Sequence, residues 1–229
     1  LIITSTALIK SRIGNAQSIV NDLMAGSLKP DKIFFFISEK PHNIDKGIKP
    51  HEIPKINNPR VEFIYTENIG SLRKIVPILK MYWGREGIRI ILYDDDFRIP
   101  RNSLKNLIDY SQNMNHRFRA CGMAGNLYNK GRDRSRLNAI EKKVGRSIEL
   151  GWVLRQPKQV DLLSSGLGLL VKPKFFHKDI LEWEKYQEEF RVTTTDEHFV
   201  NYMLAKKGIP RFVVPVGGCP QALPHKEVL

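Results

Sequence analysis

The feature that most restricts how this chain can fold is a set of short segments that are apolar on both faces. Lys32 to Ser38 reads KIFFFIS, and Ile88 to Tyr93 reads IRIILY. A strand with one face in water alternates apolar and polar residues. These segments do not, so they predict strands buried on both sides, as in a parallel sheet covered by helices. Leu1 to Thr6 (LIITST) and Val61 to Thr66 (VEFIYT) read as two further strands. Helical patterns lie among them: Ser11 to about Ser27, with Ile13, Ile19, Val20, Leu23 and Met24 near helical spacing; about Leu72 to Tyr82; and Ser103 to Gln112, while a Pro- and Lys-rich loop joins the second strand to the third. Pro77 lacks an amide donor and suits the second helix only in its first turn, otherwise kinking it. Strands alternating with helices predict an α/β fold with a mixed, mainly parallel sheet flanked by helices, and place ligands at the carboxyl ends of the strands.

The second half is less regular. Arg119 to Leu127 reads as a strand, Gln159 to Val171 as a strand or bent hairpin with Gly166 and Gly168, and Lys178 to Phe190 as a helix. TTTDEHFVNYMLAKKGIP carries a full set of helix signals: Thr194 and Glu197 at capping-box spacing, Lys206-Lys207 in the last turn, then Gly208 and Pro210. Arg211 to Val216 is a last short strand. A single domain over residues 1–229 is expected, in two halves spanning 1–112 and 113–229.

No apolar run approaches the roughly 18 residues of a membrane-spanning helix. The chain opens with Leu1 and no charged-then-apolar leader, which reads as a processed chain or an excised domain. Cys121 and Cys219 stand far apart without a Cys-x-x-Cys pattern, against a structural zinc site or a disulfide scaffold, so a cytoplasmic location is expected. The net charge of +13 steers anions toward the chain without choosing among them. Much of it crowds residues 130–158, where Lys130, Arg132, Arg134, Arg136, Lys142, Lys143, Arg146, Arg155 and Lys158 read as an exposed insertion, with peripheral membrane contact one use for it.

Against that basic background, Asp94-Asp95-Asp96 closes the strand IILY. Three adjacent carboxylates repel one another and call for a cation or a donor-rich partner. Mn2+ or Mg2+ takes such oxygen ligands and shares them with substrate phosphates. In an extended chain Asp94 and Asp96 point to one side and Asp95 to the other, so two of the three could converge on a metal-diphosphate.

This strand, its three aspartates, and the following Ile99-Pro100 and helix resemble the Asp-x-Asp signature of the GT-A glycosyltransferases of the bacterial family-2 type, nucleotide-sugar enzymes with a Rossmann-like half. Gly70-Ser71-Leu72-Arg73-Lys74 resembles the Gly-Pro-x-x-Lys segment preceding that signature in some members, with Ser71 in place of the proline. Thr195-Asp196-Glu197, opening a helix that ends Leu204-Ala205-Lys206-Lys207-Gly208-Ile209, is similar to the element that carries the catalytic base.

The resemblance implies a GT-A fold, with 1–112 the nucleotide-sugar-binding half and 113–229 the acceptor-binding half, and a metal-dependent transfer from a nucleoside-diphosphate sugar, more specifically a UDP-sugar, to a hydroxyl of a glycan or glycoconjugate. It implies Asp96 as metal ligand, Asp94 as a ribose or metal-water contact, Asp95 toward the sugar, and Arg73 or Lys74 stabilising the departing diphosphate. Asp196, in the first turn of a helix whose amino end favours negative charge, is the expected base of an inverting reaction, with Glu197 as its alternative. Thr4, Ser5 and Thr6, read as a first loop, are expected at the nucleotide base, and Arg12 at a phosphate. Trp152, Ser165 and Gly166 are expected to border the sugar or acceptor, and His225 to be a further metal ligand. The bland readings are an acidic turn at a strand end for the aspartates and ordinary first-turn acids for Asp196 and Glu197. The competing function is a metal-dependent nucleic-acid-processing or polyanion-binding protein, which the basic charge suggests; no specific nucleic acid is expected as partner, since zinc-finger and RNA-binding aromatic signatures are missing.

Overall fold

A computed structural model describes residues 1–113, 119–128 and 146–223. The first half alternates as expected: β1 (Ile2–Ala7), α1 (Asn15–Ala25), β2 (Lys32–Ile37), β3 (Val61–Tyr65), α2 (Val76–Tyr82), β4 (Arg89–Tyr93) and α3 (Ser103–Asn113). The second half contributes β5 (Ala120–Gly122), β6 (Ala124–Tyr128), β7 (Arg146–Leu150), β8 (Lys158–Gln159), β9 (Leu162–Leu163), β10 (Leu167–Val171), α4 (Gln187–Phe190), α5 (Glu197–Lys206) and β11 (Arg211–Val213).

Eight strands form one sheet in the order β3-β2-β1-β4-β10-β5-β11-β8, and β7-β6-β9 make a small second sheet. The first four strands are parallel; β10 runs antiparallel to both β4 and β5, and β11 is parallel to β5. The result is an α/β fold with a mixed sheet. Strands of the second half continue the sheet of the first. No helix among the described residues is long and apolar enough to cross a membrane.

The double-faced apolar runs account for three layers. Phe34 and Phe36 of β2, with Ile90 and Leu92 of β4, meet α2 and α5 in one core; Ile33, Phe35 and Ile37, with Ile91 and Tyr93, meet α1 and α3 in the other. Successive strand residues point to opposite faces, so every side chain in KIFFFI after the lysine finds a core. Pro77 falls in the first turn of α2, which starts at Val76 after a 3-10 turn over Gly70–Lys74.

Several expected elements differ. Thr4, Ser5 and Thr6 are interior residues of β1 and not a loop; all three are buried. The strand over 119–127 is broken at Met123 into β5 and β6, which join different sheets. Lys178 to Phe190 is three short turns (Lys178–Leu181, Trp183–Tyr186 and α4), in keeping with the two-residue step from Leu181 to Trp183, which no single helix face accommodates. The last strand stops at Val213. The helix over TTTDEHFVNYMLAKKG begins at Glu197 with Asp196 at its N-cap, and no side chain caps it, so the Thr194–Glu197 capping box does not form. Its carboxyl end is as expected, with Lys206 in the last turn and Gly208 at φ +69°.

Candidate functional site

The chain steps from β1 through β2 to β3 on one side of β1, and then returns to place β4 on the other. Their carboxyl ends therefore diverge between β1 and β4, where open α/β sheets form a crevice. The segment after β1 carries Arg12, and the turn after β4 carries the three aspartates.

Asp95 joins the two. Its carboxylate accepts the Ile9 amide (3.0 Å) and Arg12 Nη1 (2.8 Å), and its carbonyl accepts Asn15 Nδ2 (2.8 Å). It is 3% exposed, and burial pushes its carboxyl up to about 6 despite those donors. Arg12 Nη1 also reaches Asp96 Oδ2 at 3.1 Å. Burial opposes the Arg12 charge, and the bond to Asp95 and the field of the aspartates hold it above its ordinary range.

The alternation expected of an extended Asp94-Asp95-Asp96 is not what forms. β4 ends at Tyr93 and the chain turns, so Asp95 and Asp96 share Arg12 while Asp94 departs alone toward Lys74. The segment before Leu223 lies over this turn: Leu223 donates its amide to the Asp96 carbonyl (2.7 Å) and Arg98 donates its amide to Gln221 (2.7 Å).

Lys74 is 1% exposed, and its ammonium sits 2.6 Å from Asp94 Oδ1 and 3.1 Å from Asp196 Oδ1. Burial opposes its charge, but Asp196 and Asp94 outweigh it and raise the lysine above its ordinary range. Its carbonyl accepts Ser5 Oγ at 2.5 Å, so β1 holds the backbone that carries the ammonium. Asp196 Oδ2 is buried and has no hydrogen-bond partner. Asp196 therefore stands at the N-cap without capping: its carboxylate turns to Lys74 instead of back onto the first amides of α5. Glu197 hydrogen-bonds Ser164, and its carboxyl is raised, chiefly by burial.

Arg73 is equally buried. Its Nη2 pairs with Asp45 at 2.7 Å, its Nη1 is unpartnered, and burial lowers its pKa. Asp45 also accepts the Lys10 and Gly47 amides (both 3.1 Å) and Asn68 Nδ2 (3.2 Å). A cavity of about 320 Å³ opens beside these groups and is lined by Arg12, Asp45, Arg73, Asp94, Asp95 and Thr193 among others. Gly70, at φ +60°, is required here: a Cβ would lie 1.8 Å from the Thr193 carbonyl oxygen. A Cβ at Gly166 would lie 1.9 Å from Asp94 Oδ2, so any larger residue there would displace that carboxylate. The Gly166 carbonyl accepts the Asp94 amide at 2.8 Å.

The structure thus gathers Arg12, Arg73, Lys74, Asp94, Asp95, Asp96, Gly166, Asp196 and Glu197 about one end of the sheet. Ser165 is buried beside Gly166, and Thr4 and Thr6 are buried in β1. Trp152 packs against the core on the α1 and α3 face. His225 lies outside the described residues, as do Lys130, Arg132, Arg134, Arg136, Lys142 and Lys143 of the basic stretch; in its described part Lys158 pairs with Glu149 at 2.6 Å. Asp45 and Asn68 carried no signal in the sequence, for both sit in polar loops whose partners are distant in the chain.

Among the described residues no three His, Cys, Asp or Glu side chains gather as a metal cluster. Magnesium and manganese sites of the phosphate-sharing kind need only one or two carboxylates, the rest coming from water and substrate. Asp96 Oδ1 is buried without a partner, and such a cation would give it one. The residues present fit a cation of that kind. Compared with known proteins, the chain matches no family model and no curated protein.

Proposed function

We propose that this chain is a metal-dependent glycosyltransferase of the GT-A type, transferring a sugar from a nucleoside diphosphate, UDP in the first instance, to a hydroxyl of a glycan or glycoconjugate. The observation that carries the reading is the Asp94–Lys74–Asp196 bridge. It ties the aspartate turn of the first half to the amino end of α5 in the second, at the crevice between β1 and β4 and next to a cavity that Arg12 and Arg73 line.

The roles follow from the positions. A diphosphate entering the crevice meets the Arg12 guanidinium, which is partly exposed and at present neutralised by Asp95 and Asp96. A divalent cation held by Asp96, with Asp94 reaching it through water, would supply charge stabilisation for the departing diphosphate. Arg73 and Lys74 act from behind, as buried positive charges in a region of low dielectric. In transfer, the acceptor oxygen forms its bond to the anomeric carbon while the bond from that carbon to the diphosphate breaks. The hydroxyl proton passes to Asp196, whose Oδ2 has no competing donor. Attack opposite the leaving group inverts the anomeric centre.

The test is turnover. Purified chain, a panel of UDP-sugars with Mn2+, and hydroxyl-bearing glycan acceptors should yield a glycoside of inverted anomeric configuration, read by NMR. Asp196→Asn should lower kcat by about 10²-fold or more while leaving donor affinity within a few-fold. A retained configuration, or full activity in Asp196→Asn, would remove Asp196 as the base.

A further inference from the structure

A second cavity, of about 390 Å³, opens at the other end of the strands, where β4 begins and β10 ends. Arg85 comes from the turn after α2, Arg89 from the start of β4, Lys172 and Lys174 from the chain leaving β10, and Lys207 from the end of α5. Five cations thus line one concavity with a single carboxylate, Glu86, a surplus of four positive charges. Part of that surplus answers the fold itself, since α2 and α5 both end here and each carboxyl end carries roughly half a negative charge. The two together offset about one charge.

At least three of the five cations keep their charge unpaired among the described residues. Arg85 stacks over the Tyr82 ring at 5.4 Å, which leaves its charge in place, and Arg85, Arg89 and Lys207 form no ion pair among the described residues. The wall beneath is apolar, with Ile88 and Phe176 buried. Cations converging over an apolar floor in a concave site focus a positive field on whatever enters. A phosphate group offers several acceptor oxygens and a negative charge, which suits such a rim.

We infer that this cavity is a second ligand site that takes a phosphate-bearing anion, separate from the aspartate crevice and independent of the activity proposed for it. A free diphosphate and the headgroup of an anionic phospholipid present the same chemistry. The experiment separates them, with metal removed by chelation so that the aspartate site does not contribute. Inorganic pyrophosphate is titrated by calorimetry, and vesicles of phosphatidylglycerol or of phosphatidylcholine are sedimented with the protein. Each is run on the wild type, on Arg89→Glu/Lys207→Glu, and on Lys40→Glu/Lys55→Glu, which makes the same charge change at exposed positions elsewhere.

Pyrophosphate binding, retention by phosphatidylglycerol vesicles, or both should appear in the wild type and fall at least about tenfold in Arg89→Glu/Lys207→Glu, fading as salt is raised. Lys40→Glu/Lys55→Glu should change it far less. Pyrophosphate alone would assign a soluble ligand, and vesicles alone a lipid headgroup. No binding of either probe, or equal loss in the two reversals, would overturn the site and leave only net charge.

Discussion

Replacing Lys74 by methionine tests the core of the described geometry. The side chain is 1% exposed, so methionine keeps most of its packing while deleting the ammonium between Asp94 and Asp196. The two carboxylates are affected unequally. Asp94 is 40% exposed in its side chain and can be rehydrated, whereas Asp196 is 6% exposed and cannot. At 3.1 Å and an effective dielectric of about 20, the lost attraction to Asp196 is about 5 kcal/mol. Removing one partner of a buried pair typically costs about 3–5 kcal/mol, so that range is expected.

Urea denaturation reads the cost: with a slope of about 3 kcal/mol per molar, the midpoint should fall by about 1 M or somewhat more. The raised pKa of Lys74 means its contribution is fully present below its unfolded value and is lost only as pH rises through the folded one. The wild-type contribution is therefore flat from acid to mildly alkaline pH. Lys74→Met/Asp196→Asn should recover about 2 kcal/mol of the single-variant loss, because the buried charge is gone. A double variant as unstable as the sum of the two singles would refute the pairing.

Three further outcomes follow from the same geometry. The Asp95 carboxyl is raised to about 6, so it contributes stability that is fully present below its unfolded value and lost as pH rises from about 4 through 6; relative to Asp95→Asn, the wild type should lose about 1–3 kcal/mol between pH 4 and 7, and parallel urea curves would contradict this. Gly70→Ala sets a methyl group against the Thr193 carbonyl at φ +60°, and should cost at least about 2 kcal/mol by thermal or urea denaturation, wild-type stability being the contrary result. Gly166→Ala presses on the movable end of Asp94, so it should shift stability by no more than about 1 kcal/mol yet weaken nucleotide-sugar binding at least about tenfold by calorimetry, and unchanged affinity would separate Asp94 from the donor.

The layered half of the fold was legible because its signals are local: strands such as KIFFFI have no polar face to expose, and Gly208 with Pro210 ends α5 by backbone chemistry alone. The second half was harder because its elements are short and tertiary contacts set them. Met123 divides one apparent strand between two sheets, and the aromatic residues of Lys178 to Phe190 pack from three separate turns. At the site, the sequence pointed to the aspartates, Gly70 to Lys74, and Asp196, each of which shows its chemistry in its own segment. Partnership was not legible. Asp45 meets Arg73 across 28 residues and Asp196 meets Lys74 across 122, so neither the Arg73–Asp45 pair nor the turn of Asp196 away from its helix to Lys74 leaves a local trace.

The central proposal, a nucleotide-sugar site at the aspartate turn, is tested most directly by calorimetric titration of UDP and UDP-sugars, with manganese present and with it chelated, on the wild type and on Asp96→Ala. Micromolar binding that requires both the metal and Asp96 is the predicted result. Binding that persists without either, or no binding of any nucleotide under any of these conditions, would contradict it.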